Sequence, residues 1–242
     1  MNVVVLTGAG ISQESGIATF RGAGGLWEGK KIEEVASPEG FAANPDLVHE
    51  FYNRRRRQLQ DPAVQPNAAH RALAEFERGW TKGKFCLITQ NVDDLHQRAG
   101  SQCVIAMHGE LLKARCLESG EVFPWCDDLT AQTPHPKLPA KPGRLRPHIV
   151  WFGEMPLAMD RIELALYECD LFVAIGTSGR VYPAAGFVLM TAPDCRKVEI
   201  NFESTAIQSS FDDVIQGAAS LEVPKFFAGL LASNNLAPEK RA

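Results

Sequence analysis

The sequence predicts an α/β fold, in which a Rossmann-like parallel sheet has helices on both faces and a smaller loop-rich domain is attached. Short apolar runs alternate with stretches of helical periodicity, which is typical of a covered parallel sheet. The first run leads directly into a glycine-rich turn, as in nucleotide-binding folds. Residues 116–147 are rich in proline and have few periodic apolar residues, which indicates a separate module.

Five short apolar runs are the predicted strands of the sheet. They have the length and composition of strands that are buried on both faces. They cover residues 3–6, 85–89, 104–107, 171–175 and 197–200.

Two predicted helices lie between the first and second strands. Asn44 and Pro45 supply an N-cap and a first-turn proline. The residues that then recur at helical spacing are Leu47, Val48, Phe51, Tyr52, Arg55 and Leu59. Pro66 and Asn67 open the second helix, whose apolar face contains Ala69, Leu73 and Phe76.

These elements predict a main unit over residues 1–232 and a tail over 233–242. The large domain would comprise about 1–30, 80–112 and 148–232, and the small domain a helical part at about 31–79 and the loop-rich module at 113–147.

The composition excludes several classes of protein. The 242 residues are 45% hydrophobic and 22% charged, which is enough for a substantial core. The net charge of −4 implies no nucleic-acid partner. No apolar run approaches the ~20 residues of a membrane helix, and no signal-peptide profile precedes the first strand. We therefore expect a soluble, cytoplasmic protein with no membrane partner, and a monomer.

The six cysteines show no disulfide-framework spacing for a chain of this length. Cys86, Cys103 and Cys169 lie in or beside apolar runs, so we expect them to be buried small hydrophobic residues.

The first turn has the properties of a phosphate-binding loop. Gly8 and Gly10 would let the backbone approach a pyrophosphate, and a following helix would offer its unpaired N–H groups to the anion. An ordinary structural turn is the alternative.

The turn does not match the dinucleotide fingerprint of dehydrogenases. That fingerprint has a third glycine where this chain has Gln13, and an acidic residue about 20 residues later. This chain instead has a glycine-dense segment, which predicts a mobile loop able to fold over a ligand: Gly22, Gly24, Gly25 and Gly29. A hydride-transferring dehydrogenase is therefore not expected.

Polar side chains follow the second and third predicted strands. Asn91 and Asp93 come just after residues 85–89, where amides and a carboxylate can hold ribose hydroxyls or a carboxamide. Asp93 could instead only cap a short helix that runs toward Arg98. His108 follows residues 104–107, and an imidazole in such a crevice can accept a proton from a sugar hydroxyl. The other histidines lack this placement and are interpreted as structural: His49, His70, His96, His135 and His148.

Ordered motifs between residue 3 and about residue 223 form one pattern. They are Gly8-Ala9-Gly10-Ile11-Ser12 with Gly16-Ile17 and Phe20-Arg21, Thr89-Gln90-Asn91-Val92-Asp93, His108-Gly109, Pro147-His148-Ile149-Val150-Trp151-Phe152-Gly153-Glu154 and Gly176-Thr177-Ser178. Together they resemble the sirtuins, NAD-dependent protein lysine deacylases.

The resemblance implies a mechanism in which NAD is consumed as a co-substrate. The acyl oxygen of a modified lysine attacks C1′ of the nicotinamide ribose, and nicotinamide leaves. His108 would then deprotonate a ribose hydroxyl, which would attack the carbon of the O-alkylamidate, and hydrolysis would release lysine and O-acyl-ADP-ribose. Asn91, Asp93 and Gln90 would orient the ribose and the carboxamide, and Ile17 would lie against the ring. Phe20 and Arg21 would cover the reacting centre and exclude water.

The resemblance also implies the remaining contacts of the cofactor and of the peptide. The further NAD contacts would be Trp27, Val92, Gly176, Thr177, Ser178, Asn201, Phe202, Glu203 and Ala219. Two extended segments would hold the acyl-lysine peptide by β-augmentation: Val150, Trp151, Phe152, Gly153 and Glu154, and Gly179, Arg180 and Val181.

The spacing of Tyr52 and Arg55 places both on one face of the first helix. A guanidinium beside a phenol can hold an acyl carboxylate by charge-assisted hydrogen bonds. Tyr-x-x-Arg resembles the bacterial class III sirtuins, which remove succinyl, malonyl and acetyl groups. The alternative is a solvated basic face, because residues 54–57 are all arginine and most of them are expected to point to water.

The chain departs from the sirtuin pattern in its zinc module. The pattern has two Cys-x-x-Cys pairs, whereas this region has Cys116 and Cys126 with His135 nearby. We therefore predict no tightly bound zinc.

An active deacylase is favoured because His108, Asn91 and Asp93 occur together. The alternatives are a catalytically silent NAD-binding sensor and a protein ADP-ribosyltransferase.

Overall fold

Thirteen strands and eight helices make up the computed structural model, which describes residues 1–18, 26–27, 29–142 and 144–235. The strands in chain order are β1 (Val3–Thr7), β2 (Leu26–Trp27), β3 (Lys30–Lys31), β4 (Phe85–Thr89), β5 (Val104–Ala106), β6 (Gly109–Cys116), β7 (Val122–Pro124), β8 (Pro134–His135), β9 (Leu138–Pro142), β10 (Leu145–Ile149), β11 (Leu171–Ile175), β12 (Arg196–Asn201) and β13 (Asp213–Gln216). The helices are α1 (Ile32–Val35), α2 (Pro38–Ala43), α3 (Pro45–Leu59), α4 (Ala68–Gly79), α5 (Leu95–Ala99), α6 (Met159–Tyr167), α7 (Phe187–Met190) and α8 (Ala219–Asn235).

The central sheet has six parallel strands in the order β13-β12-β11-β1-β4-β5. All five predicted strands are present, with ends that differ by no more than one residue. The edge strand β13 was not predicted, because only two of its four residues, Val214 and Ile215, are apolar. Counted along the sequence, the six strands have the 3-2-1-4-5-6 order of a Rossmann fold, which confirms the predicted fold class.

Successive residues of β1 point to opposite faces of the sheet, as strand geometry requires. Val3 and Val5 pack in one hydrophobic cluster, and Val4 and Leu6 pack in the other. Helices α4 and α8 cover the first face through residues such as Phe76 and Phe227. Helices α6 and α7 cover the second face. Because β1 is buried on both sides, its sequence is continuously apolar.

Two boundaries of the predicted domains differ from the packing. Helix α4 was placed in the small domain, but its buried Ala69, Leu73 and Phe76 belong to the cluster on the sheet, so we place α4 with the large domain. Helix α8 continues through Asn235, past the start of the predicted tail at residue 233.

The helix predicted after the first glycine turn is replaced by two 3-10 turns, Ala9–Ile11 and Gln13–Ser15. Asn67, at the start of α4, binds both of these turns. Its side-chain amide donates to the Ile11 carbonyl at 2.7 Å and to the Ser15 hydroxyl at 3.0 Å. The two turns are thus held in place by a residue more than 50 positions away in the sequence.

The loop-rich module is more regular than predicted. Strands β10, β6 and β7 form an antiparallel sheet, and β8 pairs with β9. Most of these strands were not predicted because they contain prolines. Prolines occur in sheets at edge strands and irregularities, and the register of β10 and β6 indeed shifts between Pro147 and Ile149. The module has its own small core of Ala114, Cys116, Phe123, Leu129 and Leu145.

Two predictions about burial are wrong. In the run of arginines, Arg54 and Arg57 are exposed, but Arg55 and Arg56 are 7% and 0% exposed. Cys169 is buried as predicted, whereas Cys86 is half-buried and Cys103 is exposed, because Cys103 precedes the short edge strand β5. Within the described ranges, no helix has the length and apolarity needed to span a membrane.

Candidate functional site

The order of the strands places a crevice at the carboxyl ends of β1 and β11. Strands β1 and β11 are neighbours at the centre of the sheet. The strands that follow β1, which are β4 and β5, lie on one side of this pair, and those that follow β11, which are β12 and β13, lie on the other. Ligands of open α/β sheets bind at such a switch point. Both predicted glycine loops, at residues 8–10 and 176–178, follow these two strands.

The two glycine loops are in direct backbone contact. The Gly10 N–H donates to the Gly176 carbonyl at 2.9 Å. A Cβ on Gly10 would lie 2.7 Å from the Gly176 Cα, and Gly176 has a φ of +61°. The glycines are therefore needed for the contact between the loops, in addition to any approach of a phosphate.

One cleft of about 920 Å³ at this edge of the sheet is lined by most of the predicted site residues. From the nucleotide set these are Gly8, Ala9, Gly10, Ser12, Ile17, Gln90, Asn91, Val92, Asp93, His108, Gly176, Thr177, Ser178, Asn201, Phe202, Glu203 and Ala219. From the acyl and peptide set they are Tyr52, Arg55, Val150, Trp151, Phe152, Gly153, Glu154, Arg180 and Val181. A single cavity thus joins the two predicted sets.

The remaining predicted residues lie elsewhere. Gly16 ends the second 3-10 turn, and Gly179 packs against Ile207, so neither lines the cleft. Phe20, Arg21, the side chain of Trp27 and the predicted covering loop around 22–25 lie outside the described residues.

Sequence reasoning missed some of the lining. Gln58 lies one turn beyond Arg55, and Gly217 and Ala218 precede Ala219 after β13. Gly217 and Ala218 are small residues that directly follow a strand, and this pattern could have identified them as lining residues. It was not recognised because β13 itself was not predicted.

Asn91, Asp93 and Ser12 form a buried hydrogen-bonded group at the floor of the cleft. The Ser12 hydroxyl donates to Asp93 Oδ2 at 2.9 Å, and Asn91 Nδ2 donates to Ser12 Oγ at 3.1 Å and to the Gly8 carbonyl at 3.2 Å. Asp93 Oδ1 also accepts from the Leu95 N–H at the start of α5. Asp93 therefore binds the N-terminus of α5, which was the alternative interpretation of this residue, and it also lines the cleft.

Burial raises the pKa of Asp93 from 3.8 to about 6, and its hydrogen bonds only partly oppose this. A group whose pKa is raised on folding stabilises the fold below its unfolded pKa and loses that contribution as the pH rises through its folded pKa. The Asp93 carboxylate therefore costs the folded state stability at neutral pH.

Asp93→Asn is expected to raise the free energy of unfolding at pH 7 by up to about 3 kcal/mol relative to wild type. The gain should shrink as the pH falls from 6 to 4, because the wild-type side chain becomes neutral. Urea denaturation across this pH range measures it, with the exposed Asp127→Asn as the control. An equal difference at pH 4 and pH 7 would contradict the explanation.

His108 is held at the rim of the cleft by one ring nitrogen. Its Nδ1 lies 3.0 Å from the Gln90 carbonyl, which can only accept, so Nδ1 has the proton and Nε2 has the lone pair. Burial lowers the pKa of His108 below 6.5, so the ring is neutral at pH 7. The next residue, Gly109, has a φ of +85°, and a Cβ there would lie 2.1 Å from the His148 carbonyl. The ring is therefore a neutral base placed by a turn that requires glycine.

Tyr52 and Arg55 lie on the same face of α3, as predicted, and both line the cleft. The Arg55 guanidinium packs 3.4 Å from the centre of the Phe51 ring, and its Nη1 donates to the Phe51 carbonyl. Stacking and burial hold this charge on the wall of the cleft.

The segment 150–154 is shaped by an ion pair between the buried Arg146 and the half-buried Glu154. Arg146 is 4% exposed, and its two terminal nitrogens lie 2.6 and 2.8 Å from the two carboxylate oxygens of Glu154. Glu154 Oε2 also accepts from the Trp151 N–H, and the pKa of Glu154 lies below its ordinary value because of these donors. Glu154 therefore fixes the turn of this segment.

Comparisons with known proteins agree with this architecture. Residues 8–183 match the model of the Sir2 family. The chain belongs to the Sir2 family. This sirtuin is 61% identical to the NAD-dependent protein deacylase of Rhodopirellula baltica over 93% of this chain and 97% of the relative, and 56% identical to that of Vibrio parahaemolyticus over 96% and 95%. It superimposes on a crystal structure of a Sir2 homologue with NAD at a TM-score of 0.84, with 39% identity over 96% of this chain and 90% of the other.

The small module of this sirtuin does not fit a tetrahedral zinc site. Cys116 is buried in the core of the module, whereas Cys126 is exposed. His135 packs on the Phe123 ring, and its Nδ1 accepts from the Lys137 N–H. In the part of the chain that the structure describes, no three His, Cys, Asp or Glu residues are grouped as metal ligands. The absence of tightly bound zinc stays a prediction.

Helix α3 holds the module through Asn53. The buried Asn53 amide donates to the Leu129 carbonyl and accepts from the Leu129 N–H, each at 2.8 Å. Arg56 donates to the same Asn53 oxygen at 2.7 Å and to the Leu111 carbonyl in β6 at 3.2 Å. Burial lowers the pKa of Arg56 to about 10, so this guanidinium stays charged at neutral pH.

Asn53→Ala is expected to lower the free energy of unfolding by about 2–4 kcal/mol, because it leaves the buried Leu129 N–H and carbonyl without their partner. Chemical denaturation measures the change. Arg54→Ala, on the exposed side of the same helix turn, should change stability by no more than about 0.5 kcal/mol. Equal effects of the two substitutions would show that Asn53 does not anchor the module.

Proposed function

We propose that this protein is an NAD-dependent protein lysine deacylase that removes succinyl and malonyl groups as well as acetyl groups. The observation that carries the proposal is that a neutral histidine, a buried Asn-Asp-Ser group and a Tyr-Arg pair line the same cleft. The family membership supports the deacylase activity, and the Tyr-Arg pair supports the choice of acyl group.

The nucleotide would bind across the two glycine loops. NAD would supply the ribose C1′ that the acyl oxygen attacks, and nicotinamide would leave from that carbon. Asn91, Asp93 and Gln90 would hold the nicotinamide ribose and the carboxamide at the end of β4, and Ile17 would line the ring pocket. Thr177, Asn201 and Ala219 would hold the adenosine half at the ends of β11, β12 and the start of α8. The Asn201 amide donates to the Thr177 carbonyl at 2.6 Å, which keeps these two loops together.

His108 would accept the proton of a ribose hydroxyl at Nε2. The Gln90 carbonyl fixes the tautomer in which this atom has the lone pair. The lowered pKa keeps the base unprotonated at neutral pH.

The acylated peptide would lie against segments 150–154 and 179–181. The Val150 N–H donates to the His108 carbonyl, the Phe152 N–H to the Ala36 carbonyl, and the Glu154 N–H to the Trp151 carbonyl. Pairing with a peptide would therefore depend mainly on the carbonyl oxygens of this segment. Backbone pairing favours broad sequence tolerance.

Tyr52 and Arg55 would bind the carboxylate at the end of a succinyl or malonyl group. An acetyl group is shorter and uncharged, so its removal does not require the pair. A silent NAD-binding sensor would not require His108, Asn91 and Asp93 in one cleft. An ADP-ribosyltransferase would not require the cation Arg55 at the part of the cleft proposed to bind the acyl group.

The test is turnover of matched acetyl-lysine and succinyl-lysine peptides with NAD, followed by mass spectrometry, with zinc measured on the same protein. We expect both peptides to lose their acyl group with one nicotinamide released per lysine. If neither peptide reacts, the deacylase is overturned in favour of the sensor. Transfer of ADP-ribose to protein, without free lysine, would support the transferase.

The monomeric state, the cytoplasmic location and the absence of nucleic-acid or membrane partners stay predictions from the sequence.

A further inference from the structure

Trp151 connects the segment 150–154 to the Tyr-Arg pair. Its indole Nε1 donates to the Tyr52 hydroxyl oxygen at 3.0 Å, and the two residues are 2% and 0% exposed. They lie 99 positions apart in the sequence, on a loop after β10 and on α3. The hydrogen bond thus joins the proposed peptide segment to the proposed acyl pocket.

The indole is held rigidly. The Arg146 guanidinium covers its ring at 3.4 Å from the centroid, and the Phe41 ring lies 5.2 Å away. The Trp151 backbone N–H donates to Glu154, and Arg146 donates both to Glu154 and to the Ile149 carbonyl. A donor fixed on three sides selects one arrangement of its acceptor.

The chemistry of the pair sets the direction of the Tyr52 proton. An indole N–H can donate but cannot accept, so the Tyr52 oxygen must act as the acceptor in this hydrogen bond. The single O–H proton of Tyr52 must then point away from Trp151. Burial also raises the pKa of Tyr52, so the phenol keeps this proton at neutral pH. An anionic acceptor at the proposed acyl site would receive this proton.

We propose that Trp151 is a positioning residue for acyl selectivity, which makes Tyr52 an obligatory hydrogen-bond donor to the carboxylate of an acidic acyl group. The inference rests on the proposed function, since it requires that Tyr52 binds the acyl carboxylate. Trp151 contributes to selectivity through its hydrogen bond to Tyr52. An acetyl group has no carboxylate, so its removal is insensitive to the direction of the Tyr52 proton.

The test is Trp151→Phe, which keeps an aromatic ring under Arg146 and removes the N–H donor. We expect kcat/KM for a succinyl-lysine peptide to fall about three- to tenfold relative to the acetyl-lysine peptide of the same sequence. The ratio of the two substrates cancels any general loss of peptide binding. Trp80→Phe is the matched control, because it removes an indole N–H bound to the Met1 carbonyl, away from the cleft.

A double-mutant cycle with Tyr52→Phe identifies the route of the effect. If Trp151 acts through the Tyr52 hydroxyl, Trp151→Phe should not change the succinyl-to-acetyl ratio further in the Tyr52→Phe protein. Tyr52→Phe lowering the ratio while Trp151→Phe does not would overturn this inference alone. If neither Tyr52→Phe nor Arg55→Met changes the ratio, the proposed acyl pocket itself is wrong.

A second variant covers the case in which Trp151→Phe does not fold. Incorporation of benzothienylalanine at position 151 replaces the indole N–H by sulfur in a ring of nearly the same shape. The same relative loss of succinyl removal is expected. An unchanged ratio in this variant would overturn the proposal.

Discussion

Replacing His108 with alanine is expected to lower the release of lysine from acylated peptides by at least about 100-fold, the usual contribution of a general base. The ring nitrogen Nε2, oriented by the Gln90 carbonyl, is the acceptor for the ribose hydroxyl proton. Alanine removes this acceptor without disturbing the glycine loops or the Asn91 group. Steady-state turnover by mass spectrometry measures the loss.

The controls separate catalysis from folding. His108→Ala should bind NAD with an affinity within a few-fold of wild type in calorimetry. His135→Gln, in the small module outside the cleft, should keep most of the activity. Turnover of His108→Ala within a few-fold of wild type would show that another group is the base.

The pH profile gives the same assignment a second test. His108 must be neutral to accept a proton, and burial lowers its pKa below the ordinary 6.5. The acid limb of kcat/KM that reports His108 should therefore be centred below pH 6.5. An acid limb centred above pH 6.5 would contradict a buried histidine as the base.

Arg55→Met is expected to lower kcat/KM for succinyl-lysine peptides by about 10–100-fold and for acetyl-lysine peptides by less than about threefold. Hydrogen bonds between charged partners contribute about 1.5–3 kcal/mol, which corresponds to this range. Methionine keeps an unbranched apolar chain beside Phe51 and removes only the cation. Paired peptides that differ only in the acyl group measure the effect.

Arg54→Met is the matched control, since Arg54 is exposed and precedes Arg55 on the same helix. It should leave both activities within about twofold of wild type. An equal loss of both activities in Arg55→Met would mean that Arg55 supports the structure of α3 and does not recognise the acyl group.

The sheet could be predicted because strands that are buried on both faces are continuously apolar, as in β1 and β11. The site could be predicted because its residues directly follow these strands or, like Tyr52 and Arg55, repeat on a helix face. Strand β13 and the module could not be predicted, since their strands contain exposed polar residues and prolines.

Other features depend on partners that are distant in the sequence. Asn67 binds the turn after β1, Asn53 and Leu111 accept hydrogen bonds from the buried Arg56, and the close approach of Gly176 requires glycine at positions 8 and 10. The pattern of neighbouring residues in the sequence gives no indication of these contacts. The spacing of Tyr52 and Arg55 indicated a pair, but their neighbour Trp151 was assigned only to the peptide segment because nothing local connects it to α3.

One turn of α3 divides its residues between two surfaces: Tyr52 and Arg55 line the cleft, and Asn53 and Arg56 bind the module. The contact of Asn53 with Leu129 therefore holds the same turn whose other face would bind the acyl group in the proposed pocket. Under this proposal, a change in acyl selectivity could arise at two places. One is the lining of the cleft, and the other is the contact around Leu129, which would act through the position of the α3 turn.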